Sequence, residues 1–381
     1  MMTHAFPATT LRRRALLLAL AATPAATLAQ PKGEILVGRS TALSGGMAPF
    51  MAPVHEGQDA AIADLNAQGG IGGRPVRLVT LDDGFDAKRA LDNARTLSEK
   101  DGVVALFGMP GTSQVMTLLP YLAQAKLPLI GVYTGSPAVR MQGNPYLFTT
   151  SASYADELVK IVRNLVSIES SRIAVVYESN DFGKLLLPLA EKVIAAEKAT
   201  LVGSQVMDST GKDAEAAAKA LSAFKPQAVL MIAAGPPVVT YVRAHKAQFG
   251  GGVPVYTLSL GAGSAVLKAL GNDARGLAVA RTTPPPNKPT LALTRDFQAS
   301  MKRHNKPADY DRFVGYMDAR VLIEGIKAAG PGVTRASLVQ AMEGLSRLDI
   351  GGFSYQFSPQ NRNGSSYVDI AVVGDGGSYR Q

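Results

Sequence analysis

The amino-acid sequence predicts an α/β protein with two lobes, each built on a doubly wound parallel sheet. Its 381 residues exceed the size at which one hydrophobic core usually stops growing, so two domains are expected. A hydrophobic fraction of 46% with a charged fraction of 18% is typical of a globular chain. From Glu34 onward, short apolar runs alternate with helical segments, which is the pattern of parallel sheets covered by helices on both faces.

Two series of strands follow one another along the chain. The first series is predicted at 35–40, 76–81, 103–107 and 129–132, and the second at 173–177, 201–206, 228–233 and 255–258. The proline-rich string TTPPPNKP then predicts an extended crossing between domains. Helices at 290–304, 310–329 and 334–345 and strands at 353–357 and 367–373 complete the chain, and the pattern alone does not assign them to a lobe.

Residues 1–29 have the composition of a bacterial signal peptide. Arg12, Arg13 and Arg14 precede an apolar run, and the small residues Thr27 and Ala29 stand at the −3 and −1 positions of a cleavage site. No later run reaches the roughly 18 consecutive apolar residues of a spanning helix, so we expect a soluble periplasmic protein. The arginine triplet leaves both general secretion and twin-arginine export open.

The composition disfavours most catalytic and nucleic-acid-binding classes. Cysteine is absent, which excludes disulfides, thiolate metal sites and cysteine nucleophiles. The basic residues are scattered, so we expect no nucleic-acid partner. His55, His245 and His304 form no ligand-spaced pair, and no GxSxG string occurs. We therefore predict a protein that is not an enzyme and has no metal and no cofactor.

Two motifs that resemble reactive sites are better explained by local structure. The string GGIGGRP follows a helix and precedes a strand, whereas a phosphate loop needs the opposite order, so it predicts a helix stop and a turn. The string LDDGFD groups three carboxylates that suit a metal or acid–base chemistry. We favour a cap by Asp86 on the next helix, with Asp82 and Asp83 in a strand-end turn.

Three polar and glycine-rich loops, at 42–50, 108–114 and 132–137, each follow a predicted strand. Because the carboxyl ends of parallel strands lie at one edge of a sheet, these loops are expected to meet and bind a ligand. Thr112 and Ser113 stand at a helix start, where hydroxyls and free amides suit a carboxylate, although both residues would serve equally as simple caps. Phe50, Tyr133 and Tyr154 are candidate pocket walls.

The ordered strings ILVGRSTALSGG, DLNAQGGIGGRPV, LDDGFDAKRALDNARTL, KDGVVALFG and YESNDFGK resemble a known family. They are similar to the type I periplasmic substrate-binding proteins of ABC importers, close to the leucine/isoleucine/valine-binding group, over nearly all of the mature chain. The resemblance implies three crossings, near Thr150, Pro285 and Leu345. Residues 30–150 plus 285–345 then form the first lobe, and 151–284 plus 346–381 form the second. It also implies a monomer that closes on a small ligand and delivers it to a membrane permease.

The resemblance also assigns roles to residues of the site. Thr112 and Ser113 match the carboxylate-binding loop, and the backbone of Tyr133, Thr134 and Gly135 matches the segment around the ligand's α-carbon. The aromatic positions are Phe50 in the first loop, Phe182 in the second lobe and Tyr154 after the first crossing.

One position departs from the family pattern. Leu260 stands where the family's amino-acid binders carry the acid that pairs with the ligand ammonium, and no acid occurs between Gly250 and Asn272. Since a buried ammonium needs a partner, we expect a small carboxylate, aromatic or not, that lacks a free α-ammonium. Glu178 and Asp181 remain alternative partners for such a cation. An amino acid therefore stays open as ligand.

Two other functions fit the same sequence. One is a ligand-sensing receptor or amide sensor of the same fold, which would have a partner receptor instead of a permease. The other is an exported α/β enzyme that uses one of the aspartate groups.

The secreted protein is predicted to begin at Gln30. Thr27 and Ala29 satisfy the small-residue requirement, and Pro31 obstructs a cut one residue further on. N-terminal sequencing of periplasmic material is the measurement. A retained apolar segment would contradict the prediction and indicate an anchored protein.

Overall fold

A computed structural model describes residues 1–4, 33–141, 143–375 and 379–380. The strands are β1 (Ile35–Thr41), β2 (Val76–Asp82), β3 (Ala105–Phe107), β4 (Leu129–Ile130), β5 (Leu147–Phe148), β6 (Arg172–Glu178), β7 (Thr200–Met207), β8 (Ala228–Ile232), β9 (Val255–Thr257), β10 (Ala278–Arg281), β11 (Leu348–Asp349), β12 (Ser354–Tyr355), β13 (Asp369–Val373) and β14 (Tyr379–Arg380). The helices are α1 (Ala48–Ala67), α2 (Ala87–Glu99), α3 (Thr112–Ala125), α4 (Pro137–Arg140), α5 (Tyr154–Ser167), α6 (Asp181–Ala196), α7 (Ala214–Ser222), α8 (Pro236–Phe249), α9 (Ser264–Leu270), α10 (Ala292–Arg303), α11 (Tyr310–Ala329) and α12 (Arg335–Gly344). The predicted α/β class, with strands and helices alternating along most of the chain, is confirmed.

The five strands β1 to β5 form one parallel sheet in the order β2-β1-β3-β4-β5. This is a doubly wound order, in which the direction of winding reverses between β1 and β3. The loops that leave these two strands therefore diverge to opposite faces and open a crevice at the sheet edge. We define the first lobe as the residues that pack on this sheet.

The second sheet repeats the same order. Strands β6 to β10 are parallel and lie as β7-β6-β8-β9-β10, with β13 and then β14 added antiparallel at the β10 edge. Its winding reverses between β6 and β8. The second lobe is defined as the residues on this sheet. Strand β10 was not predicted from the sequence, because its four residues run directly into the proline-rich crossing.

The chain returns to the first lobe after that crossing, where α11 packs directly on α1. The two helices touch through small residues, since a Cβ at Gly57 would lie 1.9 Å from the Arg312 carbonyl oxygen and one at Gly315 would lie 2.0 Å from that of Val54. Leu322 and Ile326 of α11 share the buried core of the first sheet. Residues more than 250 positions apart thus complete one lobe.

The third crossing lies later than the sequence predicted. Beyond Leu345, the hairpin of β11 and β12 buries Tyr355 and Phe357 in the core of the first lobe. Thr149 and Asn363 form a bridge there, and the chain joins the second sheet only at β13. The packing therefore keeps residues 346–364 with the first lobe, whereas the sequence placed them in the second.

The strings LDDGFD and GGIGGRP form the helix cap, strand-end turn and helix stop that the sequence predicted. The Asp86 carboxylate accepts from the Arg89 amide at 2.8 Å and caps α2. Asp82 accepts from the amides of Leu43 and Gly84, which closes the strand-end turn. In the GGIGGRP string, the amide of Gly70 bonds back to the Leu65 carbonyl, so the glycines terminate α1.

Within the described residues, no helix is long and apolar enough to cross a membrane. The predicted signal peptide lies outside the described residues, apart from residues 1–4.

Asp318 should make stability depend on pH. This α11 carboxyl is buried and accepts from the Thr150 hydroxyl at 2.5 Å, and burial raises its pKa from 3.8 to about 7. Because the folded state keeps this proton up to a higher pH than the unfolded state does, protonation of Asp318 contributes fully to the free energy of unfolding below about pH 4. This contribution is lost as the pH rises to about 7. Asp318→Asn, which cannot ionise, should therefore gain about 2–4 kcal/mol relative to the parent protein between about pH 4.5 and about pH 8.

Urea unfolding at the two pH values is the measurement, and the exposed Asp92→Asn is the control. A stability difference between Asp318→Asn and the parent that does not change with pH would contradict this role.

Candidate functional site

The reversal points of the two sheets face each other across a cleft between the lobes. The cleft holds a cavity of about 390 Å³, which lies within the size range of small-molecule sites. Its first-lobe wall comes from the loops after β1, β2, β3 and β4 and from α11. Its second-lobe wall comes from the start of α5 and the loops after β6, β7, β8 and β9. The edge where parallel strands end, as the sequence predicted, is therefore the edge that lines the cavity.

The cavity wall is rich in aromatic and other apolar side chains. The aromatic residues are Phe50, Phe85, Tyr133, Tyr154 and Phe182. The Tyr154 and Phe182 rings meet edge to face, with centroids 5.5 Å apart and planes at 71°. A ligand that fills this space therefore needs an apolar body.

Of the described helices, eight begin at the cavity wall, and α3 presents the free start to an anion. The amides at the α1 start bond to the Gly45 and Met47 carbonyls, and α5 and α11 are capped by Ser153 and Asp309.

The α2 start is capped by Asp86, α6 begins with Asp181, and α8 begins with Pro236 and Pro237, which lack N–H groups. Another helix, α9, donates its first amide to the Asp311 carboxylate. Among the described residues, α3 is the helix at this cavity that has no acid or proline in its first turn, no side-chain cap and no carboxylate bonded to its first amide. Its first amides thus have no partner inside the helix.

The backbone around the α3 start is held in a fixed position. Gly111 precedes the helix at φ +88°, and a Cβ there would lie 2.0 Å from Oε1 of Gln114. The Gln114 side chain in turn donates to the Phe85 carbonyl at 2.5 Å. The hydroxyls of Thr112 and Thr134 lie 2.9 Å apart and are both buried. These contacts orient the first turn of α3 toward the cavity.

The charged side chains that line the cavity are all acids. They are Asp86, Glu178 and Asp311, and the described lining contains no lysine, arginine or histidine. Glu178 ends β6, is 4% exposed, and accepts from the Ala234 amide at 2.6 Å and the Asn180 side chain at 2.5 Å. Burial raises the pKa of Glu178 to about 7. The cavity therefore has an anion-binding helix start in one lobe and a buried carboxyl in the other.

A second, much smaller cavity of about 30 Å³ adjoins the first one toward the crossings. Glu157, Arg281 and Asp311 contribute charged groups to its wall. The Arg281 guanidinium stacks between the rings of Tyr310 and Tyr379, at 4.3 and 4.4 Å, and donates to the Ala262 carbonyl at 2.9 Å. Since Tyr310 belongs to the first lobe and Tyr379 to the second, Arg281 joins the lobes at the second crossing.

Most of the predicted site residues lie in the main cavity wall. Those in the wall are Phe50, Thr112, Ser113, Tyr133, Tyr154, Phe182 and Leu260. Thr134 and Gly135 instead line the smaller cavity. The sequence did not identify Phe85 or Asp311 as part of the wall. For Asp311 no local signal existed, because it lies on a helix whose lobe the pattern could not assign.

The sequence argument against an α-ammonium on the ligand was that its usual carboxylate partner is missing, and the geometry of the cavity changes this argument. Leu260 does line the cavity, as expected, and offers no charge. Of the two alternative acids, Asp181 is exposed and bonded to Ser113, and only Glu178 lines the cavity. A partner for a ligand cation is therefore present, at the end of β6 instead of after β9.

The two facing sheets and the cleft cavity define a two-lobed ligand-binding protein. The family model described as "Periplasmic binding protein" matches residues 34–378, and the chain belongs to this family, in its leucine/isoleucine/valine-binding-like type I group. The resemblance drawn from the sequence is thereby confirmed. The family and fold are those of non-enzymatic substrate-binding proteins, and membership implies an extracytoplasmic location.

The chain is similar in sequence or structure to three known proteins of this kind. A Leu/Ile/Val-binding protein homolog 7 from Brucella melitensis is 22% identical over 363 residues, covering 88% of each chain. A substrate-binding periplasmic protein from Ralstonia solanacearum is 30% identical, with a TM-score of 0.84 over 91% of this chain and 99% of that one. An ABC transporter solute-binding protein from R. palustris, in complex with benzoate, has a TM-score of 0.81 at 18% identity, covering 91% and 95%. The last likeness is one of fold alone.

Ser113 should stabilise the closed cleft. Its hydroxyl donates to Asp181 of the opposite lobe at 2.9 Å, a bond that exists only while the lobes are together. Because this bond is exposed, Ser113→Ala should lower the closed-to-open ratio of the ligand-free protein by about 2- to 10-fold.

The closure measurement benefits from the absence of native cysteines. Dyes on Lys88→Cys and Lys184→Cys, in the first turns of α2 and α6, report the distance between the lobes by fluorescence energy transfer. Thr117→Ala on the next turn of α3 is the matched control, because the Thr117 hydroxyl donates to the Ser113 carbonyl within the same helix. An equal change in both variants would refute a specific role for Ser113.

Proposed function

We propose that this protein is the periplasmic substrate-binding component of an ABC importer, and that it captures a small carboxylate with an apolar, preferably aromatic, body. The observation that carries the proposal is the cavity between the two sheet reversals, with its aromatic wall and a single free helix start. The ligand carboxylate lies against the first turn of α3. The two lobes then close on the ligand, and the permease recognises this closed conformation of the binding protein.

The α3 position for the carboxylate follows from the other groups in the wall. With no basic side chain in the described lining, amide dipoles are the remaining source of positive potential. The Thr112 hydroxyl lies at the same point, whereas the Ser113 hydroxyl donates to Asp181 across the cleft and leaves its backbone amide for the ligand. Asp86, Glu178 and Asp311 repel an anion from the other walls. A carboxylate therefore has its most favourable position at α3.

The apolar part of the ligand occupies the space between the aromatic rings. Phe50 and Tyr133 approach it from the first lobe, and Tyr154 and Phe182 from the second. Burying such a body contributes about 25 cal/mol per Å² of apolar surface. The benzoate complex of the R. palustris protein is an example of the fold holding an aromatic carboxylate.

The delivery role rests on two supports outside the cavity. The signal-like residues 1–29 predict export, and the family has an extracytoplasmic location. A soluble binding protein in the periplasm transfers its ligand by docking on membrane permease subunits, so we propose these as its partners. The protein binds and carries its ligand as a monomer.

Small carboxylates should stabilise the purified mature protein. At 100 times its dissociation constant, a ligand adds roughly 2.7 kcal/mol to the free energy of unfolding, which a thermal shift detects. The panel comprises aliphatic and aromatic carboxylates, their amino-acid counterparts and their amides. Replacing Thr112 and Ser113 together with alanine should weaken binding of the best carboxylate by about 1.5–3 kcal/mol or more, by calorimetry.

Two controls separate ligand contact from lobe closure. Thr112→Ala alone leaves the bond between Ser113 and Asp181 in place, and it should still weaken binding. Thr117→Ala should not. A protein that is stabilised by no carboxylate, or only by the amides, would overturn the proposed function.

A further inference from the structure

Glu178 is held rigidly at the reversal point of the second sheet. One carboxylate oxygen accepts from the Ala234 amide after β8, and the other accepts from Asn180 before α6. The backbone is fixed as well, because a Cβ at Gly183 would lie 2.0 Å from the Glu178 carbonyl oxygen. With 4% of its surface exposed, the side chain cannot turn away to bulk water and faces the ligand cavity.

Glu178 differs from the other acids of the cavity in its electrostatic surroundings. Asp311 lies near the Arg281 guanidinium, and Asp86 is exposed at the α2 cap. The hydrogen-bond donors that the structure gives to Glu178 are both uncharged. Its ionised form is therefore buried without a compensating cation, and this raises its pKa to about 7.

We propose that Glu178 sets the ligand specificity of the cavity through its charge. The ionised carboxylate selects ligands that carry a positively charged nitrogen, and the protonated carboxyl selects carboxylates that lack one. In the first case the ligand nitrogen supplies the missing cation. In the second case the carboxyl is uncharged, does not repel the ligand anion, and has an O–H to donate. The inference rests on the proposed function, since it concerns the same cavity.

Other ionisable groups surround this position and have to be distinguished from it. The second lobe contributes Asp181, Tyr154 and the exposed pair of Asp208 and Lys212 on the loop after β7. The opposite lobe contributes the groups Asp86, Asp311 and Tyr133. A variant that removes only the Glu178 charge is therefore required.

The test uses pairs of ligands that differ only in the ammonium group. Phenylalanine is compared with 3-phenylpropionate, and leucine with 4-methylpentanoate, by calorimetry at about pH 5.5 and about pH 8. For the parent protein, the ratio of the two affinities in each pair should shift toward the amino acid by about 10- to 100-fold between these pH values, as expected for a group titrating near pH 7.

Glu178→Gln should abolish the shift, leaving a change of less than about 2-fold. Glu157→Gln is the matched control. Glu157 is also a buried second-lobe carboxyl with a pKa raised to about 7, but it does not line the main cavity. The control should keep the shift. Thermal unfolding and circular dichroism of both variants establish that they fold.

The outcomes separate the two proposals. Binding with a ratio that does not change with pH, or a shift that persists in Glu178→Gln, overturns the role of Glu178 and leaves the proposed function standing. Loss of the shift in Glu157→Gln alone also overturns it. If neither member of any pair, nor any other carboxylate, binds the parent protein, the proposed function itself fails.

Discussion

The site depends on one constraint, which is that all the strands of a parallel sheet end at the same edge. In each lobe the winding reverses once, between β1 and β3 or between β6 and β8, and the loops there part to leave room for a ligand. The two lobes are arranged with these edges face to face. Every group that the cavity uses, from the α3 amides to Glu178, is brought there by the end of a strand or the start of a helix.

Among the described residues, the side-chain hydrogen bonds that hold the cleft closed are of modest energy. Ser113 and Asp181 form an exposed hydrogen bond, and the Asp311 carboxylate accepts from the Ser264 amide at 2.5 Å. Net contributions of such bonds are about 0.5–1.5 kcal/mol, or up to about 3 when one partner is charged. A closed cleft held by energies of this size is readily shifted by a ligand that touches both walls. The Arg281 guanidinium, stacked between Tyr310 and Tyr379, also joins the lobes at the second crossing.

The sequence predicted most strands of the two sheets, in their order along the chain, and most helix starts, because these follow from local signals. Most of the residues that it proposed for the site lie in the cavity wall. Thr112 was placed at a helix start by the loop before it, and α3 begins there. Asp311 and the third crossing were not predictable in this way. The pattern of residues 353–357 predicts a strand but does not indicate the lobe to which that strand belongs. The burial of Phe357 in the core of the first lobe shows which lobe it is. Contacts between residues far apart in the chain leave no periodicity in the sequence.

The comparison of Glu157 with Glu178 explains why a raised pKa alone does not mark a functional group. Both carboxyls lie in the second lobe, and burial raises the pKa of each to about 7. Glu157 accepts from the Ser259 amide and hydroxyl and also has the guanidinium groups of Arg140 and Arg281 nearby, so it fastens α5 to the turn that carries Leu260. Glu178 has uncharged donors and an open side toward the cavity. Since a buried carboxylate that lacks a cation is costly to ionise, whatever enters the cavity next to Glu178 changes that cost, and binding and ionisation become linked at this one position.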